Sequence, residues 1–300
     1  MRRMSRPPGR RFGRVLLEAA SADLAAERVS LRRGELMRSC MDEVGAPDPV
    51  WGRSLDELRC VDGLLRGSSM QAMILAAGRG TRLGELGRQT PKVLVEIAGE
   101  PLLARQLRFI ENAGVARVVI NAHHLAYQIV DFVAGRDHAA CVEVSVEREL
   151  LGTAGGVRAA LERFERGLPI IVIYGDTIVD APLGVMMSQH LASGAAATIG
   201  VNWLEDTTGK GVVEIDEDGW IVQFVEKPRQ PHAGLANAGV YVLDRDLVEL
   251  VPEGRFYDFG IDLFPSALAS GRRLRAEVIP TLASDIGTLE ALTRARAEHR

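Results

Sequence analysis

The sequence predicts an α/β fold in which a doubly wound, mostly parallel central sheet is followed by a β-rich second half. Two observations predict this fold. From Met70 onward, strand-sized apolar segments alternate with segments of helical spacing, which is the pattern of parallel βαβ units. After Ala195 this alternation gives way to short strands, and the turn sequence Asp-Glu-Asp-Gly at residues 216–219 separates two of them, which indicates antiparallel pairing.

In the first half the predicted elements follow one another closely, in a Rossmann-like order. The helix over residues 101–112 begins with proline, which suits a first turn, and Gly114 suits its C-terminal end. The segment 169–174 is apolar throughout, as is typical of a central strand covered on both faces. The other predicted elements are strands over residues 72–77, 116–121 and 141–146, and helices over residues 125–134 and 152–164.

The second half is predicted to be richer in strands and partly antiparallel. Its predicted elements are strands over residues 196–203, 211–215, 220–225, 237–243 and 274–279, and a helix over residues 261–270. No hexapeptide repeat follows, and about a dozen residues remain after Thr288. We therefore expect no C-terminal β-helix.

Residues 1–69 differ in composition from the rest of the chain. They contain 13 arginines, no lysine and no strand-like apolar run. Glu18 and Asp23 interrupt the apolar stretch after Arg14, which argues against a signal peptide. We expect a poorly ordered extension, or sequence upstream of a natural start at Met70, with the folded domain over residues 70–300. A partner-binding arm is the alternative.

The bulk composition excludes several classes of partner. The chain has 300 residues and a formal net charge of -4, so neither a nucleic-acid nor a membrane partner is expected. Its apolar runs are strand-sized, which predicts no transmembrane helix. The three cysteines form no C-x-x-C pair, so structural zinc is not expected and a reducing cytoplasm fits.

Lysine is scarce in this chain, which makes its few lysines informative. Of 36 basic residues only Lys92, Lys210 and Lys227 are lysine. Arginine and lysine are not interchangeable, since an ammonium is a compact point charge and a guanidinium is a planar fork. The three lysines are therefore candidates for sites that need a compact cation.

The strongest motif lies where the first predicted strand ends, within residues 73–94. A P-loop would need G-x-x-x-x-G-K, but Leu83 stands where the second glycine belongs. A dinucleotide fingerprint would need a third glycine at the same position and an acid after the second strand, where the chain has Asn121. Both common interpretations are thus disfavoured.

The same stretch contains L-A-A-G-x-G-T-R-L followed by P-K, and it resembles the sugar-1-phosphate nucleotidylyltransferase family. Glycines allow backbone N–H groups to face phosphate oxygens. Arg82 can hold a pyrophosphate bidentately, and Lys92 can neutralise one phosphate. The residues that carry the resemblance and are predicted to contact the nucleotide are Leu75, Ala77, Gly78, Gly80, Thr81, Arg82 and Lys92.

Further motifs match the same family. The resemblance implies that L-G-T-A-G-G at residues 151–156 runs along the base and ribose, with Gly152, Thr153 and Gly155 in contact. In E-K-P, Glu226 would hold sugar hydroxyls and Lys227 the sugar phosphate. Gly211, and Asn237 in the N-A-G-x-Y strand, would line the sugar pocket. Glu147, Lys210 and the pair His123-His124 receive no firm role, and the histidines are interpreted as loop residues.

Two aspartates are predicted to hold Mg²⁺. Asp176 follows the apolar strand over residues 169–174, at the edge where open α/β sheets bind ligands. Asp285 precedes the last predicted helix. Mg²⁺ is commonly bound by one or two carboxylates plus phosphate oxygens. The resemblance implies that both aspartates hold one metal ion.

The resemblance implies that a sugar 1-phosphate attacks the α-phosphorus of a nucleoside triphosphate and releases pyrophosphate. The motifs look most like mannose-1-phosphate or D-glycero-D-manno-heptose-1-phosphate guanylyltransferases, which favours GTP. A uridylyl- or thymidylyltransferase, and a non-catalytic paralogue that senses an NDP-sugar, are the alternatives. An NAD-binding oxidoreductase is the reading disfavoured by Leu83 and Asn121. The oligomeric state does not follow from the sequence.

Overall fold

The structure, a computed structural model, describes residues 70–279 and 284–299. The predicted extension over residues 1–69 lies outside the described residues. The strands, in chain order, are β1 (Met70–Leu75), β2 (Glu96–Ile97), β3 (Glu100–Pro101), β4 (Val115–Ala122), β5 (Cys141–Val146), β6 (Ile170–Tyr174), β7 (Thr177–Ile178), β8 (Ala197–Leu204), β9 (Gly211–Ile215), β10 (Ile221–Glu226), β11 (Gly234–Leu243), β12 (Leu274–Val278) and β13 (Ser284–Asp285).

The helices contribute the outer layers and several short connections. In chain order they are α1 (Glu85–Gln89), α2 (Leu102–Asn112), α3 (Ala126–Ala134), α4 (Gly152–Ala160), α5 (Leu183–Ser193), α6 (Arg245–Val248), α7 (Phe264–Ala269) and α8 (Leu289–Glu298). Among the residues described, no helix is long and apolar enough to cross a bilayer.

One large mixed sheet forms the centre of the fold. Seven of its strands lie in the order β10-β9-β11-β6-β1-β4-β5, and β8 pairs with both β11 and β12. The neighbours β6, β1, β4 and β5 are parallel, whereas β11 is antiparallel to β6, β8 and β9. The predicted α/β class, with a mostly parallel first half and a β-rich second half, is therefore confirmed. The carboxyl ends of the four parallel strands meet at one edge.

Side chains that alternate along the central strands fill a core on each face of the sheet. Met73 of β1 points into one core, while Ala72 and Ile74 point into the other. A smaller third core lies beside α8. Its buried members are Leu83, Val95, Ile97, Leu102, Ile286, Leu292 and Ala295. This third core joins the chain after β1 to the chain after β13, which brings two motif segments together.

Most predicted elements are found within a few residues of their predicted bounds, and two differ in kind. The helix predicted over residues 152–164 consists of α4, which ends at Ala160, followed by a short 3₁₀ turn, Leu161–Arg163. The helix predicted over residues 261–270 begins earlier as a π-helical turn, Phe259–Leu263, because the Asp258 side chain accepts from the N–H groups of Gly260 and Ile261. Helix α5 was not predicted, since its apolar residues surround it without a clear period.

Candidate active site

The first glycine segment, residues 76–82, follows β1 at the carboxyl edge of the sheet. Gly78 is exposed, and nothing lies within 4 Å of the position that a β-carbon would occupy there. Gly80 has φ of 62°, a conformation that glycine adopts without steric penalty. Thr81 and Arg82 are exposed, whereas Ala77 and the following Leu83 are buried. The segment thus exposes its backbone at Gly78 and the side chain of Arg82, while the buried residues Ala77 and Leu83 attach it to the core.

Contacts behind the first glycine segment hold it in place. A side chain on Gly87 of α1 would collide with the carbonyl of Gly80, so these two backbones lie in close contact. Nε2 of His124 lies 2.9 Å from the Gly87 carbonyl oxygen, and Nδ1 of His123 lies 3.1 Å from the carbonyl oxygen of Glu147. The two histidines, interpreted from sequence as loop residues, are in loops and bind backbone there.

Lys92 and the two predicted metal ligands meet in one cluster. The Lys92 side chain is on a short 3₁₀ turn and is only 8% exposed. Its ammonium donates to Oδ2 of Asp176 at 2.5 Å and to Oδ1 of Asp285 at 3.1 Å. The side chains of both aspartates are about one third exposed. A buried cation therefore links two carboxylates that open toward solvent.

Arg82 reaches the same cluster, beside Gly287. A β-carbon on Gly287 would lie 2.8 Å from Nζ of Lys92 and 2.9 Å from a terminal nitrogen of Arg82. The Gly287 N–H also donates to Oδ1 of Asp285 at 2.5 Å. Arg82, Lys92 and Asp285 are thus brought together around one glycine, and Asp176 joins them through its hydrogen bond from Lys92.

Backbone pairing and one buried glutamine fix the two aspartates. Strand β13 pairs with β7, which places Asp285 opposite Thr177, and Ile286 N–H donates to the Asp176 carbonyl at 3.0 Å. The Gln106 side chain donates to the carbonyls of Tyr174 and Thr177, both at 2.9 Å. Sequence reasoning missed Gln106, because a polar residue on a helix gives no signal that it faces a loop.

The electrostatics of the cluster favour ionised Asp285. Burial alone would raise the pKa of the Asp285 carboxyl, but the charge and hydrogen bond of Lys92, together with smaller contributions from Lys210 and the Gly287 N–H, hold that pKa below its usual value. Among the described residues there is no group of three or more potential metal ligands of the histidine, cysteine or carboxylate type. Two carboxylates are nevertheless the usual protein donor set for Mg²⁺ when phosphates supply the other oxygens. Asp176 and Asp285 fit that requirement.

A buried polar pair, Asn121 and Glu147, joins the ends of three strands. Oδ1 of Asn121 accepts from Ala76 N–H at 2.7 Å, and its Nδ2 donates to Oε1 of Glu147 at 2.6 Å. Oε2 of Glu147 accepts from Leu151 N–H at 3.1 Å. Burial raises the pKa of Glu147, against the opposing effects of the hydrogen bonds from Asn121 and Leu151. The pair links the first glycine segment to the start of the second.

The second glycine segment, residues 151–156, is packed against the chain at residues 255–259. The N–H groups of Ala154 and Gly155 both donate to the Tyr257 carbonyl at 3.0 Å. A β-carbon on Gly152 would lie 2.6 Å from that carbonyl oxygen. Oγ1 of Thr153 donates to Oδ2 of Asp258 at 2.9 Å. In this structure these glycines serve close packing, and their predicted contacts with the nucleotide stay predictions.

Glu226, at the end of β10, lies in a niche made by two glycines. A β-carbon on Gly211 would lie 2.7 Å from Oε2 of Glu226, and one on Gly260 would lie 2.6 Å from it. Burial raises the pKa of Glu226, partly offset by Lys227. Lys227 is 64% exposed at its side chain, and its Nζ lies 3.3 Å from Oε1 of Glu226. The predicted acid and cation of the E-K-P motif are therefore neighbours.

Asn237 stabilises a bulge in β11. Its Oδ1 accepts from Gly239 N–H at 3.0 Å, and its Nδ2 donates to the Tyr241 hydroxyl at 2.8 Å. The pairing of β11 with β8 shifts register between Asn237 and Tyr241. Burial raises the pKa of Tyr241 above its ordinary value. Asn237 thus has a structural role in the strand, and its predicted contact with the sugar is separate from that role.

A family model described as nucleotidyl transferase matches residues 71–300. The chain belongs to the nucleotidyl transferase family. The match covers all the described residues except Met70, and every predicted site residue lies inside it. The family predicted from the motifs of the first glycine segment is therefore confirmed.

Several known members of this family are similar to the chain. A mannose-1-phosphate guanylyltransferase catalytic subunit beta from Drosophila pseudoobscura pseudoobscura is 34% identical over 74% of this chain and 60% of its own length. A UTP--glucose-1-phosphate uridylyltransferase from Synechocystis sp. is 31% identical over 67% of this chain and 56% of its own length. The chain thus spans less than two thirds of the length of these curated relatives.

A solved structure covers the chain more completely. HddC from Yersinia pseudotuberculosis, complexed with GMP-PN, superposes with a TM-score of 0.67 at 29% identity. The superposition covers 77% of this chain and 100% of that chain. The fold of this member of the family therefore matches a solved protein that was crystallised with a nucleotide.

Proposed function

We propose that the chain is a sugar-1-phosphate nucleotidylyltransferase that makes a GDP-mannose- or GDP-heptose-type sugar nucleotide. The observation that carries this proposal is the meeting of Arg82, Lys92 and Asp285 around Gly287, with Asp176 bound to Lys92. Two cations and two carboxylates at the carboxyl edge of the sheet suit a triphosphate and its metal ion. A packing role alone would not leave the carboxylates partly exposed and Arg82 exposed.

In the proposed reaction an anionic oxygen of the sugar 1-phosphate attacks the α-phosphorus of the triphosphate. A bond forms between that oxygen and the α-phosphorus, the bond to the bridging oxygen breaks, and pyrophosphate leaves. No general base is needed, because the nucleophile already carries negative charge. The barrier arises from charge crowding and alignment, so fixed cations and positioning should supply most of the acceleration.

Each side chain of the phosphate cluster has a separate task in this proposal. Arg82, exposed and planar, binds the pyrophosphate that leaves. Lys92 is buried and already bound to two carboxylates, so its ammonium is held where charge builds on the α-phosphate. Asp176 and Asp285 would hold Mg²⁺, which when bound neutralises phosphate charge. On the opposite side, Glu226 binds sugar hydroxyls and Lys227 binds the sugar phosphate.

The guanine preference is supported by similar proteins. The Drosophila relative is named a mannose-1-phosphate guanylyltransferase, and HddC was crystallised with GMP-PN. One relative of comparable identity is named a UTP--glucose-1-phosphate uridylyltransferase. A uridylyltransferase acting on another sugar 1-phosphate is therefore the second candidate, and a non-catalytic sensor of an NDP-sugar is the third.

A substrate panel tests the proposal. The purified full chain is incubated with Mg²⁺, each of five nucleoside triphosphates, and mannose, heptose or glucose 1-phosphate, and pyrophosphate release is measured. We expect the highest kcat/KM with GTP and mannose or heptose 1-phosphate. A maximum with UTP would favour the second candidate. Binding of an NDP-sugar without turnover of any pair would favour the sensor.

One variant tests the cluster itself. Lys92→Ala should lower kcat by about 10²- to 10³-fold, the usual effect of removing one preorganised charged donor. Arg166→Ala is the matched control, because Arg166 is exposed, forms an ion pair with Glu162, and precedes β6 at the opposite edge of the sheet. Unchanged pyrophosphate release in Lys92→Ala would refute the assigned role.

A further inference from the structure

Lys210, the third lysine of the chain, has a hydrogen-bonded backbone beside the E-K-P motif. Its N–H donates to the Thr207 carbonyl, and its carbonyl accepts from Lys227 N–H, both at 3.0 Å. Thr207 is fully buried, and its hydroxyl donates to the His232 carbonyl at 2.8 Å. The backbone of Lys210 is therefore fixed on both sides, in contact with the E-K-P motif.

The next residue places Lys210 beside the sugar-side carboxylate. Gly211 pairs with Glu226 across β9 and β10, and the Glu226 carboxylate lies where a side chain on Gly211 would stand. Lys210 is half-buried, unlike the exposed Lys227. Lys210 thus directly precedes the glycine that borders the Glu226 carboxylate.

The charge of Lys210 acts on the sugar-side carboxylate. Burial raises the pKa of Glu226, and Lys210 is one of the smaller contributions that oppose this rise. The backbone contact of Lys210 with Lys227, and the pairing of the adjacent Gly211 with Glu226, place Lys210 beside this carboxylate. The described residues offer this ammonium no hydrogen bond or ion pair, whereas Lys92 and Lys227 each have a carboxylate partner.

The proposed reaction indicates which group of the substrate would lie near Lys210. In the proposed function, Glu226 binds the sugar and Asp285 lies at the metal-bound triphosphate. The phosphate of the sugar 1-phosphate must then lie between these two carboxylates, because it joins the sugar ring to the α-phosphorus. That phosphate carries about two negative charges and needs more neutralisation than the exposed Lys227 supplies.

We propose that Lys210 binds the phosphate of the sugar 1-phosphate, together with Lys227, and thereby helps to align the attacking oxygen. This inference rests on the proposed function. It gives all three lysines of an arginine-rich chain the same kind of ligand. A compact ammonium suits this place, since it can approach one phosphate oxygen without the wide fork of arginine.

The test is a kinetic comparison in the full chain. Lys210→Gln removes the charge and keeps a polar side chain at a half-buried position, and Lys210→Arg keeps the charge. Lys210→Gln should lower kcat/KM for the sugar 1-phosphate about 10- to 100-fold, the effect of losing one charge-assisted hydrogen bond. The KM for the nucleoside triphosphate should change by less than about threefold, and Lys210→Arg should recover part of the loss.

The outcomes separate this inference from the proposed function. Arg166→Ala serves again as the control, and thermal unfolding establishes that each variant is folded. If the wild type turns over but Lys210→Gln keeps its kcat/KM for the sugar 1-phosphate, or raises only the KM of the triphosphate, Lys210 does not bind the sugar phosphate. If the wild type releases no pyrophosphate with any pair, the proposed function itself fails.

Discussion

Two glycine-rich segments follow strands at the same edge of the sheet, and they differ in what surrounds their glycines. In the first glycine segment Gly78 is exposed, with open space where a side chain would project. In the second glycine segment a side chain on Gly152 or Gly155 would meet backbone carbonyls of residues 255–257. The same residue type thus leaves the backbone open in one segment and permits close packing of two backbones in the other.

Because of this difference, we expect substitutions in the two segments to have different effects, one on ligand binding and one on the stability of the fold. Substitutions in the second glycine segment should reduce the free energy of unfolding, whereas substitutions at Gly78 should reduce affinity for the triphosphate. The two segments are also linked, because Asn121 and Glu147 accept hydrogen bonds from Ala76 and Leu151 at their beginnings. The variants below test the difference and the link, from the largest expected effect to the smallest.

Asn121→Asp should break the link between the segments. It would place a second carboxylate 2.6 Å from Oε1 of Glu147, where Nδ2 now donates, in a site that is 2% exposed at Asn121 and 6% at Glu147. We expect the free energy of unfolding at pH 8 to fall by about 4 kcal/mol, the usual cost of an uncompensated buried charge. Urea denaturation measures it, and Asn112→Asp, on an exposed helix end, should cost less than about 1 kcal/mol.

The pH dependence of this variant identifies the cause. Burial already raises the pKa of Glu147, and a second carboxylate should raise it further. The folded variant would then bind a proton that the unfolded chain releases, so its stability should fall as pH rises and recover toward pH 5. If the variant loses the same free energy of unfolding, relative to the wild type, at pH 5 and at pH 8, charge repulsion is not responsible for the loss.

Gly152→Ala tests the packing of the second glycine segment. Gly152 has φ of 77°, and the new methyl carbon would lie 2.6 Å from the Tyr257 carbonyl oxygen. Alanine is strained in this left-handed backbone conformation, and its methyl group would crowd the carbonyl oxygen. The two effects together should lower the free energy of unfolding by about 3 kcal/mol. The measurement is urea denaturation monitored by tryptophan fluorescence. If Gly152→Ala were as stable as the wild type, the segment would not be packed as described.

The sequence was sufficient to predict that Arg82, Lys92, Asp176 and Asp285 belong to one site, because they are charged residues within motifs. They were predicted from three separate stretches, and the structure brings them together. Strand periodicity likewise predicted the sheet, since the central strands are apolar on both faces. The position of Asp176 was predicted from local pattern and from the meeting of parallel strand ends, whereas the pairing of Asp176 with Asp285 was implied by the family resemblance.

Contacts that depend on distant backbone could not be predicted in this way. Gln106 binds loop carbonyls from a helix, and Asp258 binds Thr153 across 105 residues of sequence. The glycines of the second segment were predicted to contact nucleotide because glycine signals close approach without saying whether a ligand or another backbone approaches. Only the position of residues 255–259 distinguishes the two.

Thr153→Val tests whether the second glycine segment is also held by side chains. Oγ1 of Thr153 donates to Asp258 at 2.9 Å and accepts from Phe259 N–H at 2.8 Å, so valine would remove both bonds at nearly constant shape. We expect a loss of about 1.5 kcal/mol in the free energy of unfolding. Thr153→Ser keeps the hydroxyl and is the matched control. Equal stability of the two variants would mean that packing alone holds the segment.

Gly78→Ala tests the other side of the comparison. The free energy of unfolding should change by less than about 0.5 kcal/mol, because the methyl group meets no neighbour and the position is exposed. In the proposed function, the same methyl group would stand on the surface that faces the phosphates of the nucleotide. The Kd of the triphosphate, measured by calorimetry with Mg²⁺, should therefore rise about tenfold, the loss of roughly one charge-assisted hydrogen bond. Gly152→Ala is the control with the opposite expectation, since it should lower stability. If Gly78→Ala destabilised the fold and left the Kd unchanged, the two glycine segments would not differ in the way their surroundings indicate, and the glycines of the first segment would also serve close packing.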